Sequence, residues 1–324
     1  MKVRKISLKR LSGRSSKIVT IDLRSARYSL LESLGCTEMR KEMKKVGIAC
    51  RLILWISERL AKLRSGDFGI NLRKTLGAIL NWGAPTNVSN VFPHPSKGLV
   101  FGFNHPTLGE IIRLITVCVT EYPNRKYLFP VNIAWYEELA PVADRMEAFG
   151  LYIMPTITPA TRDKIAKIVD EDRMKIVDRL ARDFNFDYLA ACTTFVENHD
   201  IIMIAPSATR QETVFMSHSQ YKGGVKIEPQ TMTLIAMSLS RARVLDECFF
   251  IPVAVIPPRN CSRRLNLFKH YDISTCNWIS PSNVKQLCKD KSKCTGQRRF
   301  EYYFLLMIAD ELIDKGASRL VYPS

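Results

Sequence analysis

No stretch of this chain approaches the roughly 20 consecutive apolar residues that a membrane-crossing helix needs. Its first residues, MKVRKISLKRLSGRSSK, are basic but lack the continuous apolar core of a secretory signal. The expectation is a cytoplasmic or organelle-stroma protein, soluble or peripheral to a membrane, with no transmembrane segment. Nine cysteines include no Cys-x-x-Cys pair, and no histidine stands at zinc-finger spacing from the four late ones, Cys261, Cys276, Cys288 and Cys294. Reduced, mostly buried thiols are therefore expected, with no metal site. Internal repeats and low-complexity tracts are also missing. Of five histidines, His94, His199, His218 and His270 read as loop, surface or hydrogen-bonded core residues, which leaves His105. Acidic residues fall short as well: 31 Asp and Glu face 48 Lys and Arg, for a net charge of +17. A surplus of that size implies an anionic partner, whether nucleic acid, a membrane surface, an acidic protein or a phosphorylated substrate. Nucleic acid is the least favoured, because base stacking needs aromatic rings among the cations. Only Tyr28 and Trp55 precede Phe68.

What is present is globular. The hydrophobic share of 46% and charged share of 24% over 324 residues suit one large α/β domain, alone or with a small companion. Residues 1–24 read as a basic, Ser-rich arm or edge strand. Over 27–64 the pattern turns helical: Ile48, Leu52, Trp55, Ile56, Leu60 and Leu63 recur at three- and four-residue steps among Lys and Arg. This helix either packs on its own domain with a solvated basic face or rests on anionic lipid. Ser65-Gly66-Asp67 is a helix stop, and a second helix is predicted over 71–82. A turn-rich linker around 83–95 places a boundary near residue 85. The expected division is an N-terminal basic arm and smaller helical domain, 1–85, and an α/β domain, 86–324. In the second part short apolar runs alternate with helical ones, which predicts a mixed sheet flanked by helices. The expected elements include a strand over 127–133, one long charged helix over 162–183 and a last helix over 299–315, stopped by Gly316.

Two stretches carry chemistry. In GLVFGFNHPTLGEIIRLITVCVTE, residues 98–121, a buried strand runs into Asn104-His105-Pro106-Thr107 and then a helix. The end of a strand just before a helix is where α/β folds place reactive groups. Five steps along one helix turn about 500°, so His105 and Glu110 can meet only if His105 sits in the turn ahead of the helix. Pro106, a good first helical residue, allows that. In DIIMIAPSATRQE, residues 200–212, a strand ends in Pro206-Ser207-Ala208-Thr209-Arg210. Small residues followed by a cation suit close approach of a phosphate to backbone N–H groups and to a bidentate arginine.

The spacing Asn104-His105 to Glu110 resembles the first motif of the glycerolipid acyltransferases, with Glu where the usual acid is Asp. Ala205-Pro206-Ser207 and Arg210 resemble the third motif, closest to the Ala-Pro-Ser-Gly-Gly-Arg of the soluble, plastid-type glycerol-3-phosphate acyltransferases; Ala208 and Thr209 stand in place of the glycines. Residues 150–155, with Arg162 and Lys164 beyond them, resemble the second motif, and residues 250–258 the fourth. The motifs occur in the family's order, with His105 and Arg210 about a hundred residues apart. They cover roughly residues 85–260. The N-terminal helical segment is similar to that of the soluble enzymes.

The resemblance implies a glycerol-3-phosphate 1-O-acyltransferase with an acyltransferase-like sheet and no cofactor, fed by acyl-CoA or acyl carrier protein. His105 would be the general base, Glu110 its orienting partner, and Arg210, Arg162 and Lys164 the phosphate ligands, with Asn104, Pro206, Ser207 and Thr209 supporting the motifs. A lysophosphatidic acid acceptor is the alternative within the class. A non-enzymatic anion-binding protein is the alternative outside it. The cations of the chain would also suit an acidic acyl carrier protein or an anionic membrane.

Overall fold

The computed structural model describes residues 37–83, 86–89, 96–105, 110–167, 170–206, 231–259, 269–289 and 299–321. Seven strands form one mixed sheet in the order β1-β7-β6-β2-β5-β3-β4. They are β1 (Thr86–Ser89), β2 (Gly98–Phe103), β3 (Tyr127–Asn132), β4 (Leu151–Thr156), β5 (Ile201–Ile204), β6 (Cys248–Ile256) and β7 (Tyr271–Thr275). β6, β2, β5, β3 and β4 run parallel, while β7 is antiparallel to β6 and parallel to β1.

The helices are α1 (Thr37–Ala61), α2 (Phe68–Gly83), α3 (Glu110–Glu121), α4 (Ile133–Ala148), α5 (Pro159–Ala166), α6 (Glu171–Glu197), α7 (Thr231–Arg241), α8 (Pro281–Lys289) and α9 (Arg299–Asp314). The protein is α/β, with helices covering both faces of the sheet.

The central strand β2 is buried at all six positions, as a strand covered on both faces must be. Its alternation serves two cores. Leu99, Phe101 and Phe103 face one core with Leu114, Val117 and Cys118 of α3, Leu72 and Leu76 of α2, and Leu54 and Ala61 of α1. Val100 faces the other, with Tyr188 and Phe195 of α6, Met232 and Ile235 of α7, and Phe300 and Phe304 of α9.

On that second face Gly102 leaves space that nothing larger could. A Cβ there would stand 2.3 Å from Cε1 of Phe304 and 3.2 Å from Cε of Met232. Overpacking a rigid core costs about 1–3 kcal/mol. Gly102→Ala is expected to lower stability by that amount in chemical denaturation, and an unchanged midpoint would contradict the packing described.

Several expectations need correction. The single charged helix over 162–183 is two helices, α5 and α6, and α6 continues through the apolar run Leu189–Val196 to Glu197. Within the expected linker, Thr86–Ser89 forms an edge strand on β7. The helix expected over 71–82 begins earlier, at Phe68, because the Asp67 carboxylate accepts the Ile70 N–H at 2.8 Å and caps it. The last helix ends at Asp314, and Gly316 follows in the left-handed region (φ +70°), as a helix stop requires. The arm over 1–24 lies outside the described residues, as do Cys261 and Cys294. Among the described residues no helix is long and apolar enough to cross a membrane.

Candidate functional site

The connections of β2 and β5 create an opening at their carboxyl ends. From β2 the chain passes through α3, over the first face, to β3. From β5 it returns through α7, over the opposite face, to β6 on the far side of β2. Adjacent parallel strands whose connections diverge to opposite faces leave a crevice outside their carboxyl ends, the usual ligand position in open α/β sheets. Gly102 pairs with Ile204, and continuing that register sets Phe103 beside Ala205 and Asn104 beside Pro206. The two stretches singled out in the sequence thus leave the sheet side by side.

Asn104 fixes one wall. Its side chain is buried; Nδ2 donates to Val255 O at 2.8 Å and Oδ1 accepts from Val255 N at 2.7 Å. The amide extends the β2–β6 pairing beyond its last backbone pair, Phe103 with Val253. A side-chain amide can do this because it carries the donor and acceptor of a peptide group. The residue after Asn104 is thereby held at the mouth of the crevice.

That residue is His105. Its Nδ1 contacts Oε1 of Glu110, at the start of α3. Glu110 is fully buried, and the His105 side chain retains 15% of its exposure. The five-residue spacing closes because His105 stands ahead of the helix and not in it; residues 106–109, including Pro106, lie outside the described residues. A carboxylate only accepts, so the tautomer that pairs with one is protonated at Nδ1 and has its basic lone pair on Nε2. Among the described residues Nε2 has no protein partner.

Pro206 is buried at the exit of β5, and its carbonyl accepts from Thr231 Oγ1 at 3.4 Å, which ties that exit to the head of α7. Ser207, Thr209 and Arg210 lie outside the described residues, as does the side chain of Lys164.

Arg162, on α5, binds Asp178 of α6 through a two-pronged contact, Nε to Oδ1 at 2.6 Å and Nη2 to Oδ2 at 3.0 Å. The hydrogen bond to Asp178 raises the Arg162 pKa above its ordinary value. A guanidinium engaged this way presents a neutralised pair to the solvent, so as an anion ligand it would have to share its donors with Asp178.

No family model matches the chain, and no curated protein matches it. Its site therefore rests on its own geometry. Among the described residues no group of three or more His, Cys, Asp or Glu is placed to hold a metal ion. Cys276, one of the late cysteines, donates through Sγ to Met307 O at 3.4 Å, and burial pushes its thiol up to about 12.

Two residues near this end of the sheet were not singled out from sequence. Among the described residues Arg113 is the largest fully buried side chain. Its guanidinium lies 4.4 Å from the Tyr271 ring centroid, and Nη2 donates to Lys269 O at 3.2 Å. At i+3 from Glu110 it shares that residue's helix face, and it ties α3 to the start of β7. An arginine inside the apolar run 111–119 was the available signal, since buried arginines occur only where they are paired.

Glu301, in the first turn of α9, is also buried, and its Oε2 accepts from Thr233 N at 2.9 Å and Thr233 Oγ1 at 3.2 Å at the head of α7. Among the described residues Oε1 has no hydrogen-bond partner. Burial pushes this carboxyl up to about 8, from an ordinary 4.5. The folded protein then holds a proton that the unfolded chain releases, so the stabilisation is complete below about pH 4.5 and is lost as pH rises towards 8. Glu301→Gln copies the protonated form. Its melting temperature relative to wild type is expected to climb between pH 5 and pH 9, whereas a constant difference would contradict a proton held in the fold.

Proposed function

We propose that this chain is a glycerol-3-phosphate 1-O-acyltransferase, moving a fatty acyl group from an acyl thioester to the hydroxyl of glycerol 3-phosphate. The observation that carries the reading is the buried Glu110 carboxylate on Nδ1 of His105, at the crevice where β2 and β5 leave the sheet. With Nδ1 fixed as donor, Nε2 is the nitrogen that accepts the hydroxyl proton. The freed oxygen attacks the thioester carbonyl carbon, the C–S bond breaks, and the departing thiolate takes the proton back from the imidazolium. Glu110 holds the ring in the correct tautomer and stabilises its cationic form. The thioester is already activated, so no acyl-enzyme is required.

Arg210, which follows Pro206 in sequence, is the leading phosphate ligand. Lys164 is a second candidate, and Arg162 a third that would share its charge with Asp178. On this reading the sheet is of the glycerolipid acyltransferase type, the helical segment ahead of β1 is its N-terminal companion, and no cofactor takes part. The donor is acyl-CoA or acyl carrier protein, and the net charge of +17 suits either of these anions.

The test is a competition. Protein is incubated with one acyl thioester and equal glycerol 3-phosphate and lysophosphatidic acid, and products are separated by mass. Lysophosphatidic acid is expected as the main product. Phosphatidic acid alone would keep the mechanism and reassign the acceptor; salt-sensitive nucleic-acid binding with no thioester consumed would favour the anion-binding alternative.

A further inference from the structure

The helix α1 carries an apolar stripe that the fold does not bury. Ile48, Leu52 and Trp55 retain 65%, 56% and 46% of their exposure, and Leu63, in the turn after the helix, retains 81%. At about 100° per residue, Ile48, Leu52, Trp55 and Arg59 fall within about 60° of one another. The opposite side of the same helix is occupied by Leu54, Ser57 and Ala61, all buried. The inward face is thus already packed, and the stripe is a second, outward face.

Cations run along it. Arg51 and Lys62 are exposed on one flank, and the Arg59 guanidinium lies 5.5 Å from the Trp55 ring centroid. The stripe from Ile48 to Leu63 is about 22 Å long at 1.5 Å per residue.

We infer that α1 docks on the surface of an anionic lipid bilayer, with Ile48, Leu52, Trp55 and Leu63 entering the headgroup–acyl boundary and Arg51, Arg59 and Lys62 lying among the lipid phosphates. Bulky apolar side chains in single file, flanked by long cations, match an interfacial helix, whose polar groups stay in the headgroup layer. Trp is suited to that boundary because it has a large apolar body and one N–H donor. The overall charge of +17 adds attraction to the same surface. An anionic bilayer answers the cations and the apolar side chains together. This inference is independent of the acyl-transfer reading, since it concerns a different face of α1 from the one packed on the fold.

The full chain would be sedimented with vesicles of phosphatidylcholine alone and of phosphatidylcholine mixed with phosphatidylglycerol. Wild type is expected to partition onto the anionic vesicles at least tenfold more strongly. Leu52→Ser with Trp55→Ser should lose at least tenfold of that partitioning. The triple change Arg51→Gln, Arg59→Gln and Lys62→Gln should remove the preference for anionic lipid. All these side chains are exposed, so both variants should keep the wild-type circular dichroism spectrum and melting temperature. Binding by the Leu52/Trp55 variant equal to wild type would overturn the inference, because another surface would then carry it. A wild-type dimer in sedimentation velocity that the same variant makes monomeric would also overturn it, assigning the stripe to a second copy of the chain.

Discussion

Replacing His105 with alanine is expected to reduce acyl transfer by about 10²- to 10⁴-fold, the usual contribution of a positioned acid–base group. The loss should appear in kcat rather than in KM, because the imidazole acts on the hydroxyl proton as the C–O bond forms. Folding should survive. The His105 ring is partly exposed, and among the described residues its hydrogen-bond partner is Glu110. Removing it leaves Oε1 of a fully buried carboxylate without that donor, which costs about 1–3 kcal/mol. A cooperative melt a few degrees below wild type, together with the collapse in rate, is the expected pair of results. Near-wild-type turnover would remove His105 from the mechanism.

The second large effect is expected at Glu110, and two substitutions separate its roles. Glu110→Gln keeps the length but removes the charge that stabilises an imidazolium, and a fall of about 10²-fold or more is expected. Glu110→Asp keeps the charge but shortens the reach by one methylene, about 1.5 Å by ordinary bond length. Here Oε1 already meets Nδ1 with the longer side chain, so the shorter one should fall out of hydrogen-bond range. Most of the activity is expected to vanish with it, even though Asp is the usual acid of the motif that this stretch resembles. An Asp variant as active as wild type would mean that His105 and residue 110 meet differently during catalysis from the arrangement seen here. Both variants can be checked by steady-state kinetics on protein whose melting curve remains cooperative.

How far the sequence reached depends on the range of each interaction. The His105–Glu110 contact was open to a local argument, because helical geometry forbids it unless the histidine precedes the helix, and a strand ending in a polar turn supplies that. The burial of β2 was likewise written in its apolar run. Asn104 is different. Its partner, Val255, is 151 positions away, and nothing near Asn104 says that its amide will continue a strand pairing. The same holds for Glu301, which caps a helix 68 positions earlier in the chain.

Strand order belongs to this class too. Neither β1 nor β7 announces that the two pair in parallel at the edge, antiparallel to the other five strands. Of the misjudged elements, the division into α5 and α6 was hidden because charged residues run on with helical spacing through residues 162–183. The apolar end of α6 was hidden because the run Leu189–Val196 is mostly buried and carries no charged face that would mark its period. Arg113 was passed over because a lone cation in an apolar helix looks like an interruption until the Tyr271 ring and the Lys269 carbonyl are seen around it.

The central claim is that a hydroxyl held in the crevice between β2 and β5 is deprotonated there and acylated. It is tested most directly by thiol release from a long-chain acyl thioester, measured with and without glycerol 3-phosphate. The account predicts slow background hydrolysis alone, and saturable release, one thiol per ester formed, when glycerol 3-phosphate is added. Release that is equally fast without an acceptor, or absent with glycerol 3-phosphate under every donor tried, would contradict it.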